Sequence, residues 1–262
     1  MLPRGVSGAV ERADTAINAL VRLALRPYDV VLVDHTAEGD LTEVQLAYLR
    51  ALRAIRPGTK TIVLVSHTTT RKVIEALRHG VFAYFSRPFE PCDVREAISL
   101  ALSIPNWSDG IEVLSSAPGF ISLRLRCNTY TADRLALFMR ELPCELTEEE
   151  RNDLSTAFQE MLLNAIEHGG KLDPTEWVTV SRVRTSRTIV YYIHDPGEGF
   201  SRDNLIHAAI CNPPEDPLAH LEIRTSANLR PGGFGMLITS HSVDEVIYSQ
   251  KGNEVILIKH VD

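Results

Sequence analysis

Over the first hundred residues the apolar positions fall in short solid runs rather than in alternation. Val30-Val-Leu-Val33 and Thr61-Ile-Val-Leu-Val65 are aliphatic or β-branched almost throughout. That is the pattern of strands buried on both faces of a parallel sheet. Helical spacing over 41–55 and 70–78, a third run at Phe82-Ala-Tyr-Phe85 and helical spacing over 92–102 complete a βαβαβα order. Such an order predicts an α/β, doubly wound sheet whose site lies at the carboxyl ends of the strands. Asp34, Ser66 and Arg87-Pro88 stand at those ends. A carboxylate, a hydroxyl and a cation on successive strand ends suit a phosphoryl-accepting pocket, and an Asp in that place also serves as a simple turn or helix cap.

Beyond the turn-rich stretch Ser103 to Gly110 the pattern changes. Phe120 to Arg126 alternates apolar and polar residues, which predicts a half-exposed strand, and Ala132 to Leu142 has helical periodicity. From Glu148 to Gly169 the spacing predicts one long helix, with Leu154, Ala157, Phe158, Met161, Leu162, Ala165 and Ile166 on its core face. Thr147 and Glu150 form a capping-box pair at its start, and Gly169-Gly170 are expected to stop it. On the polar face, Glu160, Asn164 and either Glu167 or His168 can share one cleft.

Two glycine clusters follow. A predicted strand, Thr188 to Ile193, runs into His194-Asp-Pro-Gly-Glu-Gly-Phe200, where Asp195 can accept a hydrogen bond from an exocyclic amine and Gly197 and Gly199 let backbone approach a ligand. Arg230-Pro-Gly-Gly-Phe-Gly-Met-Leu-Ile238 is a turn with Gly232, Gly233 and Gly235 that leads into an apolar helix, a place for backbone N–H groups to hold phosphates. Between them, Ser201 to Leu229 is long, polar and Pro-rich, which fits a lid and equally a plain surface loop.

Composition narrows the class. The 262 residues are 44% hydrophobic and 23% charged, an ordinary globular balance for one to two domains. Residues 1–105 carry 13 Lys+Arg against 11 Asp+Glu, and residues 106–262 carry 14 against 23. The formal net charge of -7 argues against a sequence-independent nucleic-acid binder. No apolar run reaches the length of a membrane span and no basic-then-apolar leader follows Met1, so a cytoplasmic protein is expected. Cys92, Cys127, Cys144 and Cys211 are widely spaced, and His35, His67 and His168 lack paired ligand spacing, so neither zinc nor a disulfide framework is expected. The expected division is 1–103, a linker over 104–112, and 113–262.

Over about residues 10–102 the chain resembles the receiver domain of two-component response regulators. The resemblance makes Asp34 the phosphoacceptor candidate, Ser66 the switch hydroxyl, and Arg87-Pro88-Phe89 the counterpart of a Lys-Pro-Phe motif. Val10 to Thr15 then matches the family's second strand and loop, so the first strand, first helix and metal-binding acidic pair have no counterpart. Over about 111–262 the three polar clusters resemble the N, G1 and G2 boxes of the GHKL ATPases. Asn164-Ala-Ile-Glu-His-Gly169 and Gly252-Asn-Glu-Val-Ile-Leu-Ile-Lys259 look closest to the anti-sigma-factor serine/threonine kinases.

That resemblance implies an α+β Bergerat sandwich with a mixed sheet, binding ATP and Mg²⁺. It makes Asn164 the Mg²⁺ ligand, Glu160 the general base and Asp195 the partner of the adenine amine, with Gly197 and Gly199 shaping the base pocket. Gly232, Gly233 and Gly235 would contact phosphates with Arg230 as a charge partner, and Glu167 and His168 would flank the nucleotide. The implied function is an ATP-dependent serine/threonine protein kinase and anti-sigma regulator. Its partners would be an antagonist-type protein substrate and a sigma factor, with a homodimer as a further expectation. The alternative is a partner-switching module that holds nucleotide and transfers no phosphate. A histidine-kinase fragment fits poorly, because no helix bearing a phosphoacceptor His precedes the ATPase region.

Overall fold

The computed structural model describes residues 10–35, 42–199, 208–213, 215–216, 218–226 and 233–261. Contacts divide the chain into two compact units, Met1–Ile111 with Leu137–Pro143, and Glu112–Ala136 with Cys144–Asp262.

In the first unit the described order is α1 (Ala16–Leu25), β1 (Val30–His35), α2 (Glu43–Ile55), β2 (Lys60–Val65), α3 (Thr70–Arg78), β3 (Ala83–Ser86) and α4 (Pro91–Ser103). The strands form a parallel sheet in the order β1-β2-β3. All six residues of β2 are buried, as a central strand covered on both faces requires. β1 departs from the expected double burial: it is an edge strand, and Leu32 is 48% exposed. Val10 to Thr15 is not a strand either. Thr15 caps α1 by accepting from Asn18 N–H, and Glu11 binds Arg22, Arg26 and the Tyr28 hydroxyl, so this stretch is tied to the helix that follows it. α2 starts at Glu43 with Thr42 and Gln45 as a capping box; Leu41 lies outside the described residues.

After these come β4 (Ile111–Ala117), β5 (Phe120–Arg126), α5 (Thr129–Arg140), α6 (Glu148–Asn164), β6 (Trp177–Arg184), β7 (Thr188–His194), α7 (Ala219–Ser226), α8 (Gly235–Ser242), β8 (Glu245–Tyr248) and β9 (Glu254–His260), which belong to the second unit except for Ile111 and for α5 from Leu137 onward. Its sheet runs β4-β5-β6-β7-β9-β8, and the pairings from β5 through to β8 are antiparallel, where a mixed sheet was expected. Tight hairpins β6–β7 and β8–β9 account for two of those pairings. Alternate residues Leu123, Val180, Tyr191 and Leu257 bury one sheet face, and α6 lays its apolar stripe on β7 and β9. Phe158 of α6 meets Tyr191 with ring centroids 4.6 Å apart. This packing fixes the roll of α6, and so the direction of its polar face.

Candidate functional site: a glycine-rimmed cavity

The expected capping box at the start of α6 is present, with Thr147 and Glu150 bonded reciprocally. The helix does not run regularly to Gly169. Its last turn, Ala165–Gly169, is a π-helix, closed by Gly170 N–H donating to Ala165 O at 2.8 Å. The stop is made by two non-glycine residues in left-handed conformation, Lys171 (φ 53°) and Leu172 (φ 56°), rather than by the glycines. A π turn rotates less per residue than an α turn, so the position facing the same side as Asn164 comes one residue later. The cavity is accordingly lined by Glu160, Asn164 and His168, and Glu167 is not among its lining residues.

The cavity measures about 840 Å³. Neither the Glu160 carboxylate nor the Asn164 amide has a hydrogen bond or ion pair among the described residues. Both residues are half-buried on the cavity wall, which leaves these groups open to ligand atoms. Gly235, the first residue of α8, closes on this pair: a Cβ there would lie 2.5 Å from Glu160 Oε2 and 3.7 Å from Asn164 Nδ2. No side chain caps α8, which leaves its first N–H groups for a ligand. Gly233 also lines the cavity, whereas Arg230 and Gly232 lie outside the described residues.

At the other end, Asp195 follows β7. Its Oδ1 accepts from Gly197 N–H at 2.8 Å. Burial pushes its carboxyl above the ordinary aspartate value, opposed by the Gly197 N–H and by the nearby charges of His194 and Lys251. Gly169 is pressed so closely on Asp195 that any Cβ would overlap the carboxylate. Gly197 and Gly199 line the cavity as well.

Sequence reading missed the groups that hold Asp195. Its N–H donates to Asn253 O (3.0 Å), its carbonyl accepts from Asn253 Nδ2 (3.4 Å), and Lys251 Nζ donates to Gly197 O (3.0 Å). The Gly252-Asn253 pair stood in a recognised stretch, but nothing local joins it to a residue 58 positions away. Cys127 lies against Gly170, and its thiol is pushed up to about 11, first by burial and then by Glu176, Asp195 and Asp173. The segment between the glycine clusters is described in part. It contains a 3₁₀ turn (Ala209–Cys211) and α7, so it is more than an irregular surface loop.

In the first unit the strand ends line up as expected: Asp34 pairs with Leu64, and Ser66 and Arg87 follow the paired residues Val65 and Ser86. Asp34, Ser66 and Arg87 each have an interaction partner within the chain. Among the described residues no group of three or more His, Cys, Asp or Glu side chains is placed to hold a metal ion, and no helix is long and apolar enough to cross a membrane.

The chain is 32% identical over 130 residues to the anti-sigma F factor of Anoxybacillus flavithermus (strain DSM 21510 / WK1), covering 48% of this chain and 80% of that protein. Among solved structures, a CheY-like response regulator receiver domain protein from Methanospirillum hungatei JF-1 is 24% identical with a TM-score of 0.30, covering 34% of this chain and 69% of that one. A pilus assembly-related protein from Burkholderia pseudomallei K96243 is 22% identical with a TM-score of 0.29, covering 36% and 67%. Residues 129–259 match the model of the histidine kinase-like ATPase domain, which spans both ends of the cavity from Glu160 to Asn253. The chain belongs to the histidine kinase-like ATPase domain family.

Proposed function

We propose that the protein is an ATP-dependent serine/threonine protein kinase of the anti-sigma regulatory kind, cytoplasmic, acting by partner switching under control of its first unit. The observation that carries the reading is the Glu160 carboxylate, without a partner among the described residues, one turn before Asn164 and beside the Gly233–Gly235 turn. A module that only holds nucleotide needs the amide and the glycines; a carboxylate lining the same cavity adds a proton acceptor.

The residues fit ATP with Mg²⁺. Asp195, held by Gly197 and Asn253, would accept from the adenine amine, and apolar residues of the cavity wall such as Ile193 and Val255 would offer the base an apolar surface. The uncapped start of α8 and the glycines before it receive the phosphates. Asn164 presents an amide oxygen without a partner among the described residues, the kind of single protein ligand that Mg²⁺ accepts alongside phosphates and water. When bound, the ion would neutralise charge on the phosphates. Glu160 would take the proton of a substrate Ser or Thr hydroxyl as that oxygen attacks the terminal phosphorus, while the bond from that phosphorus to its bridging oxygen breaks and ADP leaves. The similarity to an anti-sigma F factor supports a sigma factor and an antagonist-type protein as partners.

The test uses ATP labelled in the terminal phosphate and a co-encoded antagonist protein. Wild type is expected to label a Ser or Thr on the antagonist, and Glu160→Gln to bind ATP while losing transfer by about 10² to 10⁴-fold. Unchanged transfer in Glu160→Gln, or no label with wild type while ATP binds, contradicts the kinase reading.

A further inference from the structure

One buried imidazole has no part in the nucleotide chemistry above. His220, the second residue of α7, is 0% exposed. Asn212 holds it twice: Asn212 Oδ1 accepts from the His220 backbone N–H at 2.9 Å, and Asn212 Nδ2 lies 2.7 Å from the ring Nδ1. A backbone N–H only donates, so the first bond fixes the amide oxygen on that side and leaves the amide nitrogen facing the ring. The nitrogen donates, Nδ1 accepts, and the ring proton sits on Nε2.

The same ring meets Phe234 edge to face, with centroids 4.5 Å apart at 90°. Phe234 is the residue before α8 and lines the cavity between Gly233 and Gly235. A second tie lies close by, since Ala209 N–H donates to Gly233 O at 2.9 Å, and Ala208 also lines the cavity. The segment that follows the first glycine cluster is thus fastened to the second at two adjacent residues, without a ligand taking part.

We infer that Asn212 and His220 are positioning residues for the glycine-rich turn. Through Phe234 they set the aim of Gly233–Gly235 into the cavity, so that the turn is already ordered when a nucleotide meets it. The inference rests on the nucleotide-binding reading. It predicts a loss of affinity carried mainly by the departure rate, because a turn whose aim is lost holds its ligand less well while the encounter itself is unchanged.

The experiment uses the full chain and ATP carrying a fluorescent ribose label, released by excess unlabelled ATP in a stopped-flow instrument. Asn212→Ala, His220→Ala and His220→Phe are each expected to speed release about tenfold, with association unchanged within about twofold. His220→Phe keeps an aromatic ring against Phe234 and removes both ring nitrogens, of which only Nδ1 has a partner among the described residues, so it also guards against a simple packing defect. The double variant Asn212→Ala/His220→Ala is expected to release no faster than either single, since both break one coupled pair. Hydrogen exchange without nucleotide supplies a readout independent of binding: amides of 208–226 and 235–238 exchange faster in the variants while those of β6 and β7 do not.

Wild-type release rates in the variants, additive effects, or faster exchange throughout the second unit would overturn the inference. If wild type binds no labelled ATP, the nucleotide reading itself falls. The exchange pattern then still decides whether Asn212 and His220 hold the glycine-rich turn.

Discussion

Both units present a carboxylate, a second polar group and a turn at one place in the fold, yet they differ in what those groups already touch. Asp34, Ser66 and Arg87 sit at the ends of neighbouring parallel strands, and each has a partner inside the chain. Glu160 and Asn164 sit on one face of a helix and have none among the described residues, while Gly235 closes on them. Leaving two polar groups unpaired beside packed apolar side chains is unfavourable unless a ligand or water satisfies them. The contrast teaches that residue identity at a strand end is weaker evidence for a working site than an unsatisfied pair in a cavity of nucleotide size.

The contrast breaks most sharply at the glycines. Gly169→Ala drives a methyl into the Asp195 carboxylate and is expected to weaken ATP binding by about 100-fold or more, as loss of a charged hydrogen bond and a steric block combine. Calorimetric titration of ATP with Mg²⁺ reads it directly. Gly235→Ala is the next largest: the new methyl displaces the Glu160 carboxylate, so phosphate transfer should fall about tenfold to 100-fold while ATP affinity changes only a few-fold. Steady-state transfer measured beside affinity separates the two.

Acidification gives a smaller, graded effect. Burial raises the Asp195 carboxyl, so it protonates at a higher pH than an exposed aspartate, and a protonated acid no longer accepts two-sidedly from the adenine amine. ATP affinity should therefore fall as pH is lowered, starting above the ordinary aspartate range, and Asp195→Asn should remove that dependence. The linked stability has the opposite sign. Because the folded pKa is raised, folding favours the protonated form, and the stability from this group is present below the unfolded pKa and lost as pH rises through the folded one.

The smallest effect is at the α6 cap. Thr147→Ala removes the hydroxyl that accepts from Glu150 N–H and donates to its carboxylate, leaving the backbone half of the pair, and should lower the melting temperature by a few degrees. Glu150 is held low chiefly by the Thr147 backbone N–H, so this cap is intact above the ordinary glutamate pKa and weakens as pH falls through the lowered one.

Much of this architecture was legible from local pattern. Solid apolar runs gave β1 to β3, alternation gave β5, and glycine clusters after a strand and before a helix marked the two ends of the cavity. What escaped was set by contacts distant in sequence or by small changes of helical rotation. The choice of His168 over Glu167 follows from one π turn, which composition does not announce. The support of Asp195 by Asn253 and Lys251 comes from the turn before β9, the strand paired with β7. α1 was hidden because Val10 to Thr15 was matched to a strand, while Glu11 is bound to Arg22 and Arg26 of the helix and its end. The exposure of Leu32 follows from strand order, and the apolar run alone carried no sign of an edge.

The most direct measurement compares the two carboxylates in one calorimetric experiment, titrating ATP with Mg²⁺ into the full chain and into Asp34→Ala and Asp195→Asn. The expected result is one site per chain, an affinity in Asp34→Ala within about twofold of wild type, and a loss of about tenfold to 100-fold in Asp195→Asn. Binding that survives Asp195→Asn, or that disappears in Asp34→Ala, would contradict the assignment of the nucleotide site to the second unit's cavity.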